Sequence, residues 1–179
     1  MSIWDYLGLG GKEGDKSAAP SSETETVRKI VDALDRMEPE QARYIAAFAY
    51  ILSRVANADL EITPEETRAM ERIVSERGGL PEEQAIMVVQ MAKTQNLLFG
   101  GTEDYLVTRE FGKIADRDQK TALLHCLFSV SAVDESIVSA EDTEIRKIAS
   151  EIKLSHAEFI AVKSQYSKHL ETLKDDSDA

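Results

Sequence analysis

The sequence predicts an all-α fold of about eight helices in two similar halves. Apolar residues recur at helical spacing, no stretch alternates with period two between turn signals, and one segment repeats 75 residues later. Of the 179 residues, 42% are hydrophobic and 30% are charged, which is typical of a globular protein. A chain of this length can bury its own core without a disulfide or a metal.

Capping and breaker residues place the predicted helices along residues 25–173. In the first half, Pro39 separates a first helix from a long apolar second helix that reaches about Asn57. A third helix begins at Thr63-Pro64 and ends at Gly78-Gly79. A fourth begins at Leu80-Pro81 and reaches about Leu98. In the second half the helices are Thr102 to Ile114, Arg117 to about Val133, one capped by Ser139 and carrying Ile148, and one from Leu154-Ser155 through Tyr166.

Both ends of the chain differ in composition from this helical domain. Residues 1–24 carry Ile3, Trp4 and Leu7, followed by a Gly/Ser/Ala/Pro-rich stretch that predicts a flexible tether. The apolar part either docks on the protein's own core or serves as a tag for a partner or a membrane surface, and both interpretations stay open. Residues 174–179 are predicted to be an acidic tail.

The repeat aligns two segments without a gap. Residues 52–76 (LSRVANADLEITPEETRAMERIVSE) match residues 127–151 (LFSVSAVDESIVSAEDTEIRKIASE). The matched apolar positions are explained by packing alone. We expect two helical repeats, about 25–98 and 100–173, related by a pseudo-two-fold axis.

Two carboxylates recur within this repeat at the same spacing. Asp59 ends an apolar helix and Glu66 follows seven residues later, and Asp134 and Glu141 repeat the arrangement. The Asp is predicted in the interhelical turn and the Glu in the first turn of the next helix, where negative charge is favourable. The two side chains of each turn can therefore converge.

Negative charge is concentrated in the same two turns. Segments 59–66 and 134–142 each contain four acids and no base: Asp59, Glu61, Glu65, Glu66, Asp134, Glu135, Glu141 and Asp142. Within residues 25–170 acids exceed bases by seven, so these eight carboxylates account for the whole excess.

These carboxylates predict two cation sites with oxygen ligands. Ca²⁺ and Mg²⁺ take carboxylate, carbonyl and water oxygens, whereas zinc prefers His or Cys, which both turns lack. An EF-hand is excluded, because the sixth and twelfth positions counted from the first Asp are Pro64 and Met70 instead of Gly and Glu. The predicted ligands are Asp59, Glu66, Asp134 and Glu141, with Glu61 and Glu135 as auxiliaries.

Two other interpretations of the turns stay open. Glu66 is the residue that a capping box on Thr63 requires, so helix capping alone explains it. Alternatively, the two turns form an acidic face that docks a basic protein partner without metal. A titration with divalent metals separates these interpretations.

The two turns resemble the TerB-like family of tellurite-resistance proteins, to which the N-terminal domain of DnaJ-like membrane co-chaperones is related. The motif, a helix ending in Ala-Asp with Ile three residues on and then Ser/Thr-x-x-Glu, appears here as residues 58–66 (ADLEITPEE) and 133–141 (VDESIVSAE). Leu60 and Glu135 stand where the family often has Gly, and Val138 replaces the Ser/Thr. The resemblance implies an all-helical fold, acidic clusters for metal or partner binding, and a role in stress responses.

Other functional classes find little support in the sequence. A net charge of −12 opposes nucleic-acid binding, and the motifs of nucleotide-binding folds and of serine hydrolases are missing. His125 and Cys126 are neighbours in an apolar helix and are predicted to be a buried or half-buried core pair, so we expect no enzyme. The single cysteine and the lack of a signal sequence or long apolar run predict a soluble, cytoplasmic protein, with association at the inner membrane face left open.

Overall fold

Eight α-helices form the part of the chain that the computed structural model describes, which is residues 22–56, 63–94, 104–134 and 136–170. They are α1 Ser22–Asp35, α2 Pro39–Val55, α3 Pro64–Glu76, α4 Glu82–Lys93, α5 Asp104–Ile114, α6 Arg117–Ser131, α7 Ser139–Glu151 and α8 His156–Lys163. Two 3₁₀ helices, η1 Ala132–Asp134 and η2 Ser164–His169, follow α6 and α8. These described ranges contain no strand, so the predicted all-α fold is confirmed.

Helix α2 is the centre of the core because it is apolar on nearly every side. Every residue from Tyr44 to Ser53 is buried, and the helix packs against α4, α5, α6 and α7. The ring of Tyr44 stacks on Phe111 of α5 with the centroids 5.4 Å apart, and Phe48 meets the edge of the same ring. This central helix leads directly into the first acidic turn, so the core fixes where that turn begins.

The C-terminal end of α3 confirms the predicted glycine stop. Gly79 has a φ of 69°, a left-handed conformation that costs glycine little. A Cβ on Gly78 would lie 2.4 Å from the carbonyl oxygen of Val74 and 3.0 Å from Phe48 Cζ. Position 78 must therefore be glycine because no larger side chain fits, and position 79 is glycine because its backbone adopts a left-handed conformation.

Three predicted boundaries in the second half were wrong by a few residues. Helix α7 is capped by Val138, so Ser139 is its first helical residue and not its cap. Helix α6 ends at Ser131 and continues as the 3₁₀ helix η1. Tyr166 lies in η2 instead of in the last α-helix, because the chain tightens into 3₁₀ geometry after Lys163.

The two halves share local backbone features at matched positions. Helices α3 and α7 both have 13 residues. Beyond them the alignment slips by one residue, so that Leu80 corresponds to Leu154 and the offset becomes 74. With this slip the residues that have a φ near 69°, Gly79 and Lys153, match each other. The pseudo-two-fold axis between the halves stays a prediction.

Several sequence predictions fall outside the described residues. They concern the apolar lead with Ile3, Trp4 and Leu7, the end of the fourth predicted helix near Leu98, and the Thr102 cap. Helix α1 begins at Ser22. Among the helices that the structure describes, none is long and apolar enough to cross a bilayer.

Candidate metal centre

The first acidic turn connects α2 to α3, and its described part is the start of α3. The backbone N–H of Thr63 donates to Glu66 Oε2 at 2.7 Å, and the N–H of Glu66 donates to Thr63 Oγ1 at 3.2 Å. This complete capping box satisfies two amides that the helix itself leaves unpaired. The two other predicted ligands of this turn, Asp59 and Glu61, lie outside the described residues.

The second acidic turn connects α6 to α7 through η1. Asp134 is the last residue of η1, and Glu141 stands in the first turn of α7. The N–H of Val138 donates to Glu141 Oε2 at 3.0 Å, but the valine has no hydroxyl to return a hydrogen bond. Only half of the capping box therefore forms, and Glu135 lies outside the described residues.

A backbone contact with the end of the domain anchors the second turn. The N–H of Ile137 donates to the carbonyl oxygen of His169 at 2.6 Å, and Ile137 forms an isolated parallel bridge with Leu170. The Ile137 side chain is buried, so this repeated isoleucine of the motif is a core residue. The turn is thus fixed to η2 as well as to its two flanking helices.

One carboxylate of the second segment already has a cationic partner. Asp142 Oδ2 accepts from Lys163 Nζ at 2.8 Å, and Arg146 lies 3.9 Å from the same oxygen. The other oxygen, Oδ1, is buried without a hydrogen-bond partner among the described residues. Asp142 therefore contributes less negative charge to the turn than the sequence suggests.

A buried ion network that the sequence did not reveal joins the two halves. Arg54, in the last turn of α2, bonds Glu144 and Glu151 of α7, and its side chain is 5% exposed. Thr108 of α5 donates to Glu151 Oε2 at 2.6 Å. Burial lowers the pKa of Arg54, but the hydrogen bonds to Glu151 and Glu144 outweigh it and raise the pKa. Arg54 and its partners are far apart in the chain, so the sequence does not pair them. The one local signal of a buried ion pair is that an arginine lies within an apolar helix.

His125 and Cys126, the neighbouring residues of α6 predicted to be a core pair, take part in core packing. Cys126 is fully buried, and burial raises the pKa of its thiol, so the thiol stays protonated at neutral pH. His125 is half-buried, and its Nδ1 lies 3.1 Å from the hydroxyl of Tyr166. Burial, and then the charge of Arg77, lower the pKa of His125. The prediction of a buried or half-buried pair is confirmed.

The structure describes the side chains of only two of the six predicted ligands, Glu66 and Glu141. Both hold a backbone amide at a helix start, which orients the carboxylate. Within residues 22–56, 63–94, 104–134 and 136–170, no three His, Cys, Asp or Glu side chains cluster as a metal site would require. The pairing of each Glu with its Asp stays a prediction.

Comparisons with known proteins agree with the motif and the fold. No curated protein and no solved structure matches the chain. The family model described as tellurite resistance protein TerB matches residues 44–164, about two thirds of the chain, from α2 to the start of η2. Both acidic turns lie within the match. The all-helical fold, the twice-repeated motif and the family match together place this chain in the TerB family.

Proposed function

We propose that this member of the TerB family is a non-enzymatic module that binds divalent cations at its two acidic turns, in a bacterial response to tellurite and related stress. The observation that carries the proposal is the shared orientation of the helix-start glutamates. Glu66 and Glu141 accept a backbone N–H from the residue three positions earlier, at 2.7 and 3.0 Å. Each carboxylate is held in place before a cation arrives, which reduces the entropic cost of binding.

The residue types favour a hard cation. Segments 59–66 and 134–142 supply carboxylate and hydroxyl oxygens and neither imidazole nor thiolate. Ca²⁺ or Mg²⁺ accepts such ligands, with water completing the coordination shell. Since each turn supplies few ligands, we expect dissociation constants of about 10⁻⁴–10⁻³ M, as for weak oxygen-ligand sites.

Calorimetric titration of the full chain tests the proposal. Ca²⁺, Mg²⁺, Mn²⁺ and Zn²⁺ are added separately, and we expect saturable binding of Ca²⁺ or Mg²⁺. Asp59→Asn and Asp134→Asn should each remove one site, whereas Glu83→Gln, a matched control in the first turn of α4, should leave both. The absence of heat at millimolar metal, or equal loss in the control, contradicts the proposal.

A metal-independent scaffold is the second candidate. It is favoured by the complete capping box of α3, which accounts for Glu66 without any ligand. In this function the acidic face docks a basic protein partner. A lysine-rich peptide that binds equally well in EDTA and in excess Ca²⁺, and loses affinity in both Asp→Asn variants, supports the scaffold over the cation module.

A further inference from the structure

The outer face of the α7–α8 hairpin is positively charged in a chain whose net charge is −12. It is formed by exposed residues of α7, α8 and η2, which we call the basic face: Arg146, Lys147, Lys153, His156, Ile160 and Lys168. Ile160 is 42% exposed, one of few large apolar side chains at the surface of the described residues. The face therefore combines positive charge with apolar area.

Most acids of this region bind residues outside the basic face. Of the four acids of α7 and α8 after Glu141, Asp142 is the exception: it lies 3.9 Å from Arg146, although its closer contact is Lys163 at 2.8 Å. Glu144 and Glu151 both bond Arg54 of α2. Glu158 bonds Arg117 at the start of α6. Lys147 and Lys153 flank the C-terminus of α7, and Lys168 is in η2. In the part of the chain that the structure describes, no carboxylate lies within ion-pair distance of these three lysines.

Phe159 connects the two helices of this surface. The guanidinium of Arg146 lies 5.7 Å from the centroid of the Phe159 ring, and the ring of His156 lies 6.3 Å from it. Ile160 lies one helical turn after His156, so both side chains are on the same face of α8. Since Arg146 and His156 flank the same ring, Arg146, His156 and Ile160 lie on one surface.

The matching α3–α4 hairpin shows that the fold itself does not require this charge. Glu71 and Glu82 occupy the positions matched to Arg146 and His156, whereas Arg72, matched to Lys147, is basic in both hairpins. Yet Ile86, matched to Ile160, is exposed to nearly the same extent, at 40%. The two hairpins thus share the exposed isoleucine and differ in the charge around it.

We propose that the basic face docks a short acidic segment of a partner protein that also contains apolar residues. Charge complementarity selects acidic side chains, and Ile160 offers apolar contact. The segment is short because the face spans only two helices, of 13 and 8 residues. A bilayer or a nucleic acid would extend beyond the face and meet the acidic remainder of the chain. The proposal is independent of cation binding at the turns.

Fluorescence anisotropy with a labelled twelve-residue peptide of glutamate and leucine tests the docking. The full chain should bind the peptide saturably at low salt and about tenfold more weakly at 0.5 M NaCl, since exposed ion pairs are screened. Lys147→Glu combined with Lys153→Glu should weaken binding about tenfold, which equals about 1.4 kcal/mol. The matched control on α3, Arg68→Glu combined with Arg72→Glu, should change the affinity less than about twofold because those side chains lie on the other hairpin.

A second pair of variants tests the apolar contact without changing charge. Ile160→Ser should weaken peptide binding about threefold, whereas Ile86→Ser, at the matched position, should have no effect. Both side chains are exposed, so the helical circular dichroism should be unchanged in each variant. Equal effects of the members of either pair, or salt-independent binding, overturn the proposal.

Two other occupants of the face give distinct results. If the acidic tail covers the face, the triple variant of Asp175, Asp176 and Asp178 to Asn should bind the peptide at least about tenfold more tightly, as expected when a tethered competitor is removed. If the ligand is a membrane, vesicles containing phosphatidylserine should bind the chain and the peptide should not. Either result overturns the proposal of a protein partner.

Discussion

The α3–α4 and α7–α8 hairpins share local backbone features but differ in the length of the second helix, 12 residues against 8, and in their side chains. Both begin with a helix of 13 residues that carries a glutamate at its third position, and both reverse through a residue in the left-handed region. At the point where the helices pack, Ala85 of the first hairpin is matched by the large ring of Phe159 in the second. The two hairpins therefore accommodate side chains of very different volume at a matched buried position.

The hairpins also differ in how a lysine side chain contacts the fourth residue of the first helix. In the first hairpin Lys93 Nζ donates to the hydroxyl of Thr67 at 3.2 Å. In the second, Lys163 Nζ meets the carboxylate of Asp142 at 2.8 Å. Thr67 and Asp142 occupy matched positions, but their lysine partners do not, since Lys93 and Lys163 are 70 residues apart. The carboxylate of Asp142 forms an ion pair where Thr67 accepts a hydrogen bond, so part of the negative charge of the second segment is paired. Shared backbone geometry therefore does not fix the charge of a hairpin.

The largest expected effect comes from a position where the halves are most unlike. Arg54 is matched to Ser129, and Arg54→Met removes the cation from Glu144 and from Glu151, whose side chain is 11% exposed. We expect the free energy of unfolding to fall by about 3–5 kcal/mol, since a buried carboxylate is left unpaired. Ser129→Ala, which removes a hydroxyl 2.8 Å from that of Tyr166, should cost about 1 kcal/mol.

Urea denaturation followed by circular dichroism measures both free energies. Adding Glu144→Gln and Glu151→Gln to Arg54→Met should restore part of the loss, because no buried charge then lacks a partner. A cost below about 1 kcal/mol for Arg54→Met would show that the network contributes no more than a surface ion pair.

The left-handed residues of the two hairpins should respond in opposite directions. Gly79→Ala should lower the free energy of unfolding by about 1 kcal/mol, since a Cβ in this conformation is strained although no atom lies within 4 Å of it. Lys153→Gly, at a φ of 68°, should raise it by about 0.5–1 kcal/mol. The same urea denaturation checks both, and changes of equal sign would contradict a shared turn geometry.

Exchanging the cap residues sharpens the comparison at the other end of the helices. Thr63→Val should cost about 1 kcal/mol because the amide of Glu66 loses its acceptor. Val138→Thr should gain about 0.5–1 kcal/mol by completing the capping box with Glu141. The midpoint of thermal unfolding checks both changes. If Val138→Thr has no effect, the first backbone N–H groups of α7 already have hydrogen-bond acceptors, and the hydroxyl adds nothing.

Local signals in the sequence predicted the fold well, whereas contacts between distant residues were beyond its reach. Pro64, Gly79 and Ser155 mark helix boundaries because capping and φ preferences act within a few residues. The start of α7 was placed one residue late because Val138 lacks the expected hydroxyl. Arg54 and its acidic partners are 90 and 97 residues apart, and no local rule pairs them. The candidate turns are predicted by the repeat together with the concentration of acids within it.

The smallest expected effect is a pH dependence that only the second half should show. His125 is matched to Tyr50, so the first half has no histidine at this position. Because burial and the charge of Arg77 lower the pKa of His125 in the folded chain, folding favours its neutral form. The associated stability is complete above the unfolded pKa of about 6.5 and is lost as the pH falls through the folded value.

Urea denaturation of the chain and of His125→Asn between pH 5.5 and 7.5 measures this contribution. The difference in free energy of unfolding between the two proteins should shrink as the pH falls, since only the parent loses stability through this group. Every other group is the same in both proteins, so the difference isolates the contribution of His125. A difference that is constant with pH would show that His125 has the same pKa folded and unfolded. A difference that grows toward low pH would mean that the folded chain favours the charged imidazole, and the hydroxyl of Tyr166 would then be its acceptor.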